Sequence, residues 1–271
     1  MSDLSSQVVF QKVLALRGPN IWANFPVLEA WIDIGPFEQH PSDTLPGFNE
    51  KLMAWLPSMI EHRCSVGERG GFFERLRRGT YLGHILEHVT LELQSLVGTP
   101  VGFGRARETS QSGVYRVAIE YQNEELARAC LNTAFELCMA AAHDRSFDID
   151  SELEKLRAIA HDKCLGPSTR AIADAATSQG VPFTRLNEGS MLQLGYGSKQ
   201  RRVWAAETDR TSAISEAIAK DKQLSRKLLA QCGIPVPRGE EVSSQDEAWE
   251  AAQALGMPVV VKPNGGNHGR G

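Results

Sequence analysis

The chain has 271 residues, 42% hydrophobic and 23% charged, the balance of a soluble globular protein with one large or two ordinary domains. A net charge of −4 lacks the basic excess that non-specific nucleic-acid binding requires, so no nucleic-acid partner is expected. The five cysteines are scattered without a C-x-x-C pair, which argues against a thiolate metal site or a disulfide framework. The N-terminus has no basic segment followed by an apolar one, and no apolar run approaches the ~20 residues of a membrane span. The expectation is a cytoplasmic protein without a membrane partner.

From Val8 to about His143, short strands and amphipathic helices alternate, with turns at 18–20, 35–37 and 45–48, which reads as α+β. The clearest element is a helix from Tyr81 to Val97. Leu82, Ile85, Leu86, Val89, Leu93, Leu96 and Val97 recur on one face, and Gly98 and Pro100 end it. Strands are expected at 101–107 and 114–121, joined by a polar turn, then a helix over 124–142. Charged sequence at 143–169 holds a short helix and a Gly-Pro break, placing a domain boundary near residue 162. The remainder reads as α/β: a helix at 169–179, a strand near 181–186, an apolar run at 191–197, a strand at 201–208 and a helix over 211–230. Gly233 suits the C-cap, Ser244 and Glu247 form a capping box for a helix ending at Gly256, and 257–263 reads as a buried strand.

Three constellations point to chemistry. The first is the strand ending in Lys262, followed by a run rich in Gly265, Gly266, Gly269 and Gly271, whose backbone N–H groups can turn toward phosphate oxygens without Cβ obstruction. It matches neither a Walker A loop nor a Rossmann fingerprint, and a glycine-rich linker is the bland alternative.

The second is His84-Ile85-Leu86-Glu87-His88 on the 81–97 helix. The two histidines are one turn apart, opposite the apolar stripe, in the H-x-x-E-H pattern of inverted zinc peptidases, where two imidazoles bind Zn²⁺ and the glutamate is the base. A third ligand is required, and Glu124 is preferred over Glu125 and Glu120. The competing reading is a solvated polar helix face.

The third is the run 63–84, where Arg63, Arg69, Arg75, Arg77 and Arg78 outnumber Glu68 and Glu74. Arginine pairing with an acidic partner competes here with an ordinary surface rich in local ion pairs.

The order of helix, Asp221-Lys222, Gly-Ile-Pro-Val-Pro, capped helix and lysine strand resembles the opening of an ATP-grasp fold. That resemblance implies that Lys262 contacts ATP phosphate, that Gly265, Gly266, Asn267, His268, Gly269 and Gly271 close over it, and that Lys222 lies near the nucleotide. More broadly, RGPNIWANFPVLEAWIDIG, LPGFNEKLMAWLPSMIEHRCSVGERGGFFERLRRGTYLGHILEHVTLELQ, VGFGRARET, LGPSTRAIADAA, QLGYGSKQRRVWAAETDRTSAI, KDKQLSRKLLAQCGIPVPRG and VVVKPNGGNHGRG, in this order, resemble the cyanophycin synthetases.

The resemblance implies residues 1–162 as a polymer-binding domain carrying the zinc-peptidase-like motif, 163–215 as an α/β segment, and 216–271 as the start of an incomplete α/β ATP-grasp region. It implies ATP and Mg²⁺ as cofactors, and cyanophycin primer, aspartate and arginine as partners. A carboxylate is activated as an acyl phosphate and then attacked by an amine. The intact enzymes are homo-oligomers. Zn²⁺ in the N-terminal domain, held by His84 and His88 with Glu87 catalytic, matches a primer-generating site in some members. Polymer contacts are implied for Arg75, Arg77, Arg78 and Ser168. Because the ligase sequence beyond Gly271 is not present, the chain is expected to be a fragment inactive as a ligase. The alternatives are a zinc-dependent hydrolase of the polymer and a non-catalytic polymer-binding module.

Overall fold

A computed structural model describes residues 8–64 and 67–264. The chain divides into two compact units between Gly166 and Pro167.

The first unit is built on an antiparallel sheet of β1 (Val9–Leu16), β2 (Val27–Asp33), β3 (Gly104–Glu108) and β4 (Val114–Glu120), in the order β1-β2-β4-β3. Side chains alternate across the pleat. Leu28, Ala30 and Ile32 on β2 stand opposite Ile119, Val117 and Tyr115 on β4, and all six belong to the main core. The intervening Trp31 and Arg116 face the other way, with Lys12 of β1 lying over the Trp31 ring at 3.9 Å.

The core face is covered by α3 (Leu82–Leu96) and α4 (Glu124–Ala142). The shorter α1 (Phe48–Trp55), α2 (Gly71–Arg78) and α5 (Ile149–Lys163) complete the unit. Asn123 caps α4 through its side chain, which accepts from the Leu126 N–H. Gly98, at φ 87°, takes the left-handed conformation that ends α3.

The expected strand at 101–107 starts only at Gly104, because the N–H groups of Gly102 and Phe103 donate to the Glu120 carboxylate at 2.9 Å instead of joining the ladder. A more consequential difference concerns α3. Its polar face is not solvated: Glu87, His88, Thr90, Glu92 and Gln94 are buried along with the apolar stripe. The stretch around Pro57–Glu61 and His62, together with β3, packs against the face that periodicity alone leaves open.

The second unit is also mixed α+β, not α/β. Its sheet is an antiparallel meander of β5 (Phe183–Arg185), β6 (Met191–Leu194), β7 (Arg201–Trp204) and β8 (Glu207–Thr208). The single strand expected at 201–208 is a hairpin that turns at Ala205, where φ is 54°. Helix α6 (Pro167–Ser178) precedes the sheet. The helix expected over 211–230 is two helices, α7 (Ala213–Lys220) and α8 (Lys222–Gln231). Asp221 separates them: it closes α7 and its carboxylate caps α8 through the Leu224 N–H at 2.9 Å. Helix α9 (Gln245–Leu255) begins at the Ser244 cap and ends at Gly256. Residues 257–263, expected as a buried strand, pair with no strand among the described residues, and Val260 and Val261 are 78% and 71% exposed. Propensity for β structure yields a strand only where a partner supplies the ladder and covers the apolar side chains.

Among the described residues no helix is long and apolar enough to cross a membrane. The buried face of α3 predicts a sharp contrast in mutational sensitivity. Leu86→Ala, at a fully buried site, should cost about 2–5 kcal/mol. Ile214→Ala, on a side chain 73% exposed, should stay within about 0.5 kcal/mol. Urea denaturation of the two variants measures both.

Candidate metal centre

The first two turns of α3 carry His84, Glu87 and His88 into a cleft of about 640 Å³ whose other walls include His62, Cys64, Gly104, Arg105 and Ala106. Backbone bonds shape the loop opposite the helix: Gly70 N–H donates to the Ile60 carbonyl and Phe72 N–H to that of His62. Gly71 permits this closure, since a Cβ there would lie 2.7 Å from the Cys64 carbonyl oxygen. Across the cleft, a Cβ on Gly104 would lie 2.6 Å from both Cγ and Oε1 of Glu87, so only glycine lets β3 approach the carboxylate.

Cys64, His84 and His88 bring one ligand atom each to within 4.8 Å of one another. The Cys64 Sγ is 3.1 Å from His84 Nε2. His84 Nδ1 is 2.9 Å from Thr80 Oγ1, and Thr80 is itself held by Ser42, whose hydroxyl accepts from the Thr80 N–H and donates to the Leu76 carbonyl. His88 stacks near Phe72, ring centroids 4.2 Å apart, and its Nδ1 meets His62 Nδ1 at 2.8 Å. His62 Nε2 reaches Glu92 at 2.7 Å.

Burial sets the protonation of these groups. It lowers the His84 pKa to about 4, helped by the nearby Arg75 charge, and lowers His88 to about 2, helped by His84 and His62. Both imidazoles are therefore neutral at physiological pH, the form in which histidine binds metal. Burial pushes Glu87 up to about 7 against the opposing effects of the Ala106 backbone bond and the Arg105 charge. For Glu92 burial also raises the pKa, but bonds from His62 and Ser58 outweigh it and hold the carboxyl below its ordinary value.

The donor set fits zinc. One thiolate and two imidazoles are borderline-soft ligands; tetrahedral Zn²⁺ with bonds of roughly 2.0–2.3 Å would hold its ligand atoms about 3.5 Å apart, so the three atoms, here within 4.8 Å of one another, would draw slightly together around the ion. Three protein ligands would leave one position of a tetrahedral ion for water. The cysteines thus do contribute to a metal-type cluster, contrary to the expectation drawn from their scatter. Adjacency in space, not in sequence, brings Cys64 to the helix.

Glu124 is not the third member. It sits at the first turn of α4, where it accepts from Arg17 at 2.8 Å and from Arg128 at 3.0 Å. The C-terminal turn of α3 is the part near that end of α4, since Gln94 donates to the Glu120 carbonyl, and Gln94 is roughly 15 Å along the helix from His84. Glu125 pairs with Lys163, and Glu120 serves the Gly102–Phe103 turn. Two signals pointed to the missed residues: His62 and Cys64 lie within or beside the arginine-rich run, and Glu92 follows His88 by four residues, on the same helical face.

Arg75, Arg77 and Arg78 are exposed on α2. Arg78 pairs with Glu74, Arg69 with Glu61, and Arg77 lies 3.7 Å from the Met53 sulfur. In the second unit Ser168 is exposed in the first turn of α6. Lys222, at the start of α8, donates to the carbonyls of Pro263 and Asn264 at 3.0 and 2.8 Å, while the Asn264 side chain accepts from the Gln223 N–H. The start of α8 thereby grips the chain at the entrance to the glycine-rich run. Lys262 is exposed; Gly265, Gly266, Asn267, His268, Gly269 and Gly271 lie outside the described residues.

Comparison with known proteins gives these features a context. Residues 29–143 match the family model of the cyanophycin synthase-like N-terminal domain, and residues 221–271 match the carbamoyl-phosphate synthase L chain ATP-binding domain. The chain is 42% identical over 266 residues to a cyanophycin synthetase of Synechocystis sp., 42% to that of Geminocystis herdmanii and 41% to that of Trichormus variabilis. Each alignment covers 96% of this chain and 30% of the relative, so the chain spans about 30% of the length of these curated relatives. The chain is thus similar to the cyanophycin synthetases across nearly its whole length, with one stretch similar to their N-terminal domain and another similar to an ATP-binding domain.

Two expectations follow from the packing. Gly104→Ala should displace β3 or Glu87 and cost about 1–3 kcal/mol, read from the urea midpoint of the metal-free protein. The second concerns Glu87. Its pKa is raised in the folded state, so the native protein holds the proton more tightly than the unfolded chain, and stability falls as pH rises from about 4.5 to about 7. Glu87→Gln mimics the protonated carboxyl and should stabilise the metal-free protein by about 3 kcal/mol at about pH 8 but less than about 1 kcal/mol at about pH 5. The histidine contributions are common to both proteins and cancel in the difference. Equal gains at the two pH values would contradict the buried, proton-retaining carboxyl.

Proposed function

We propose that this chain is the polymer-handling part of an ATP-dependent amide ligase of cyanophycin synthesis, together with the opening of its ATP-grasp region. The observation that carries the reading is the identity of about 42% to cyanophycin synthetases across 96% of the chain. In this reading the first unit holds an aspartate–arginine polymer, with Arg75, Arg77 and Arg78 pairing with its carboxylates. Ser168, in the second unit, is a separate polymer contact. Lys222 and Lys262, with the glycine-rich 265–271, attend ATP and Mg²⁺ during acyl-phosphate formation, before an aspartate amine displaces phosphate. The assembled enzyme is a cytoplasmic homo-oligomer whose substrates include aspartate and arginine. The hold of Lys222 on Pro263 and Asn264 supports an ordered entrance to the phosphate loop.

A second reading is favoured by a specific observation: Cys64, His84 and His88 converge beside Glu87. Here the first unit hydrolyses the polymer. Zn²⁺ bound by the three residues would supply a Lewis acid at the cleft. The residues of the chain do the rest. The Glu87 carboxylate, poised by burial near neutrality, takes a proton from water on one Oε and delivers it to the departing amine. Arg105, which lines the cleft, and Arg75, whose charge acts on His84, offer cations to carboxylates of the polymer.

Co-sedimentation with insoluble aspartate–arginine polymer tests the first reading. The chain should pellet with the polymer, and Arg75→Ala/Arg77→Ala/Arg78→Ala or added salt should release it; a chain that stays in the supernatant would refute polymer handling. For the second reading, the zinc-loaded chain should shorten the polymer, and Glu87→Gln should slow this by about 10²-fold or more while leaving the metal content unchanged. Cleavage unaffected by that substitution would exclude Glu87 as the proton carrier.

A further inference from the structure

We infer that Glu92 and His62 form a positioning dyad that fixes the tautomer of His88, keeping its Nε2 lone pair available to the cleft. The inference rests on the metal-centre reading of Cys64, His84 and His88, and concerns residues that lie outside that ligand set.

His62 Nε2 is 2.7 Å from a Glu92 carboxylate oxygen, and an ionised carboxylate only accepts, so Nε2 of His62 carries hydrogen and donates. His62 Nδ1 and His88 Nδ1, 2.8 Å apart, share one hydrogen, so this bond occupies Nδ1 of His88 and leaves Nε2 as its nitrogen for a metal. That Nε2 lies on the Glu87 side, 3.9 Å from Oε1. With Nε2 bound to a metal, Nδ1 of His88 supplies the shared hydrogen and His62 Nδ1 accepts it, while His62 Nε2–H donates to Glu92.

Both nitrogens of His62 are thus engaged, which assigns it a supporting role, not that of a ligand. The dyad is also shielded, since the side chains of His62 and Glu92 are only 17% and 7% exposed and water competes poorly for these bonds. Glu92 is set four residues after His88 on α3, and His62 enters just beyond the 3-10 turn at Pro57–Glu61. The relay therefore clamps the loop that carries Cys64 against the helix that carries the histidines. The other histidine is oriented separately, by Thr80 at its Nδ1. Partners of this kind, bonded to the far nitrogen of a metal-binding imidazole, typically govern affinity by 10–100-fold.

The test is a chelator-competition measurement of Zn²⁺ affinity on the whole chain, with circular dichroism of the metal-free proteins as a check on folding. Glu92→Gln, nearly isosteric, and His62→Ala should each weaken Zn²⁺ binding by about 10–100-fold. The double variant should be no weaker than the worse single one, because both act through the same nitrogen of His88. A merely structural role would lower the unfolding midpoint without this non-additive loss of affinity. Affinities within about two-fold of wild type in well-folded variants would overturn the dyad while leaving the metal centre intact. Loss of one coordinated ligand in His62→Ala, seen as an altered visible spectrum of the Co²⁺ form, would make His62 a ligand and also overturn it. Absence of Zn²⁺ binding by the wild-type chain would remove the metal-centre reading and the dyad together.

Discussion

The first unit depends on the burial of a helix that is polar on one side. Helix α3 packs Leu86, Val89 and Leu93 into the core, and it also takes Glu87, His88 and Glu92 out of water. Burying such groups without partners costs several kcal/mol each. The structure meets that cost by setting the groups against one another. His62 bridges His88 and Glu92, Thr80 meets His84, and Ala106 N–H reaches Glu87. Only the Glu87 carboxyl is left poised, since one backbone bond and a nearby arginine do not offset its burial.

That arrangement limits what the positions around it can hold. Gly104 and Gly71 are the points where strand and loop come too close to tolerate a Cβ. Ser42 ties Thr80 to Leu76, and Phe72 supplies the apolar floor beneath His88. Two neutral imidazoles and a proton-retaining carboxyl are buried side by side in one cleft. Perturbed ionisation concentrated in one cleft is what catalytic sites display.

Much of this was legible in the sequence. The 3.6-residue periodicity located α3 and α4 because each has a long uninterrupted apolar stripe, and the H-x-x-E-H spacing flagged the histidines. The third member of the cluster left only its place within the arginine-rich run as a trace. A ligand from a distant loop leaves no periodic trace, so carboxylates near the next helix drew attention away from Cys64. The polar face of α3 looked solvated for the same reason, since what covers it, the stretch near His62 and the β3 edge, is set by tertiary packing. In the second unit the helix 211–230 was broken by Asp221, whose capping carboxylate was readable only in hindsight. The valine-rich 257–263 failed to form a strand because its propensity expresses itself only against a neighbour. Its attachment to Lys222 is a contact between side chain and carbonyl that no local pattern announces.

The claim on which the rest hangs is that the Cys64 thiolate and two α3 imidazoles close on one metal ion. Cobalt(II) substitution examines it directly, because thiolate ligation produces a near-ultraviolet charge-transfer band and tetrahedral geometry an intense visible absorption. The account predicts both in the wild-type chain, with the charge-transfer band lost in Cys64→Ser and the visible absorption weakened. A cobalt form with only the faint spectrum of an oxygen-ligated octahedral ion, unchanged by Cys64→Ser, would contradict it.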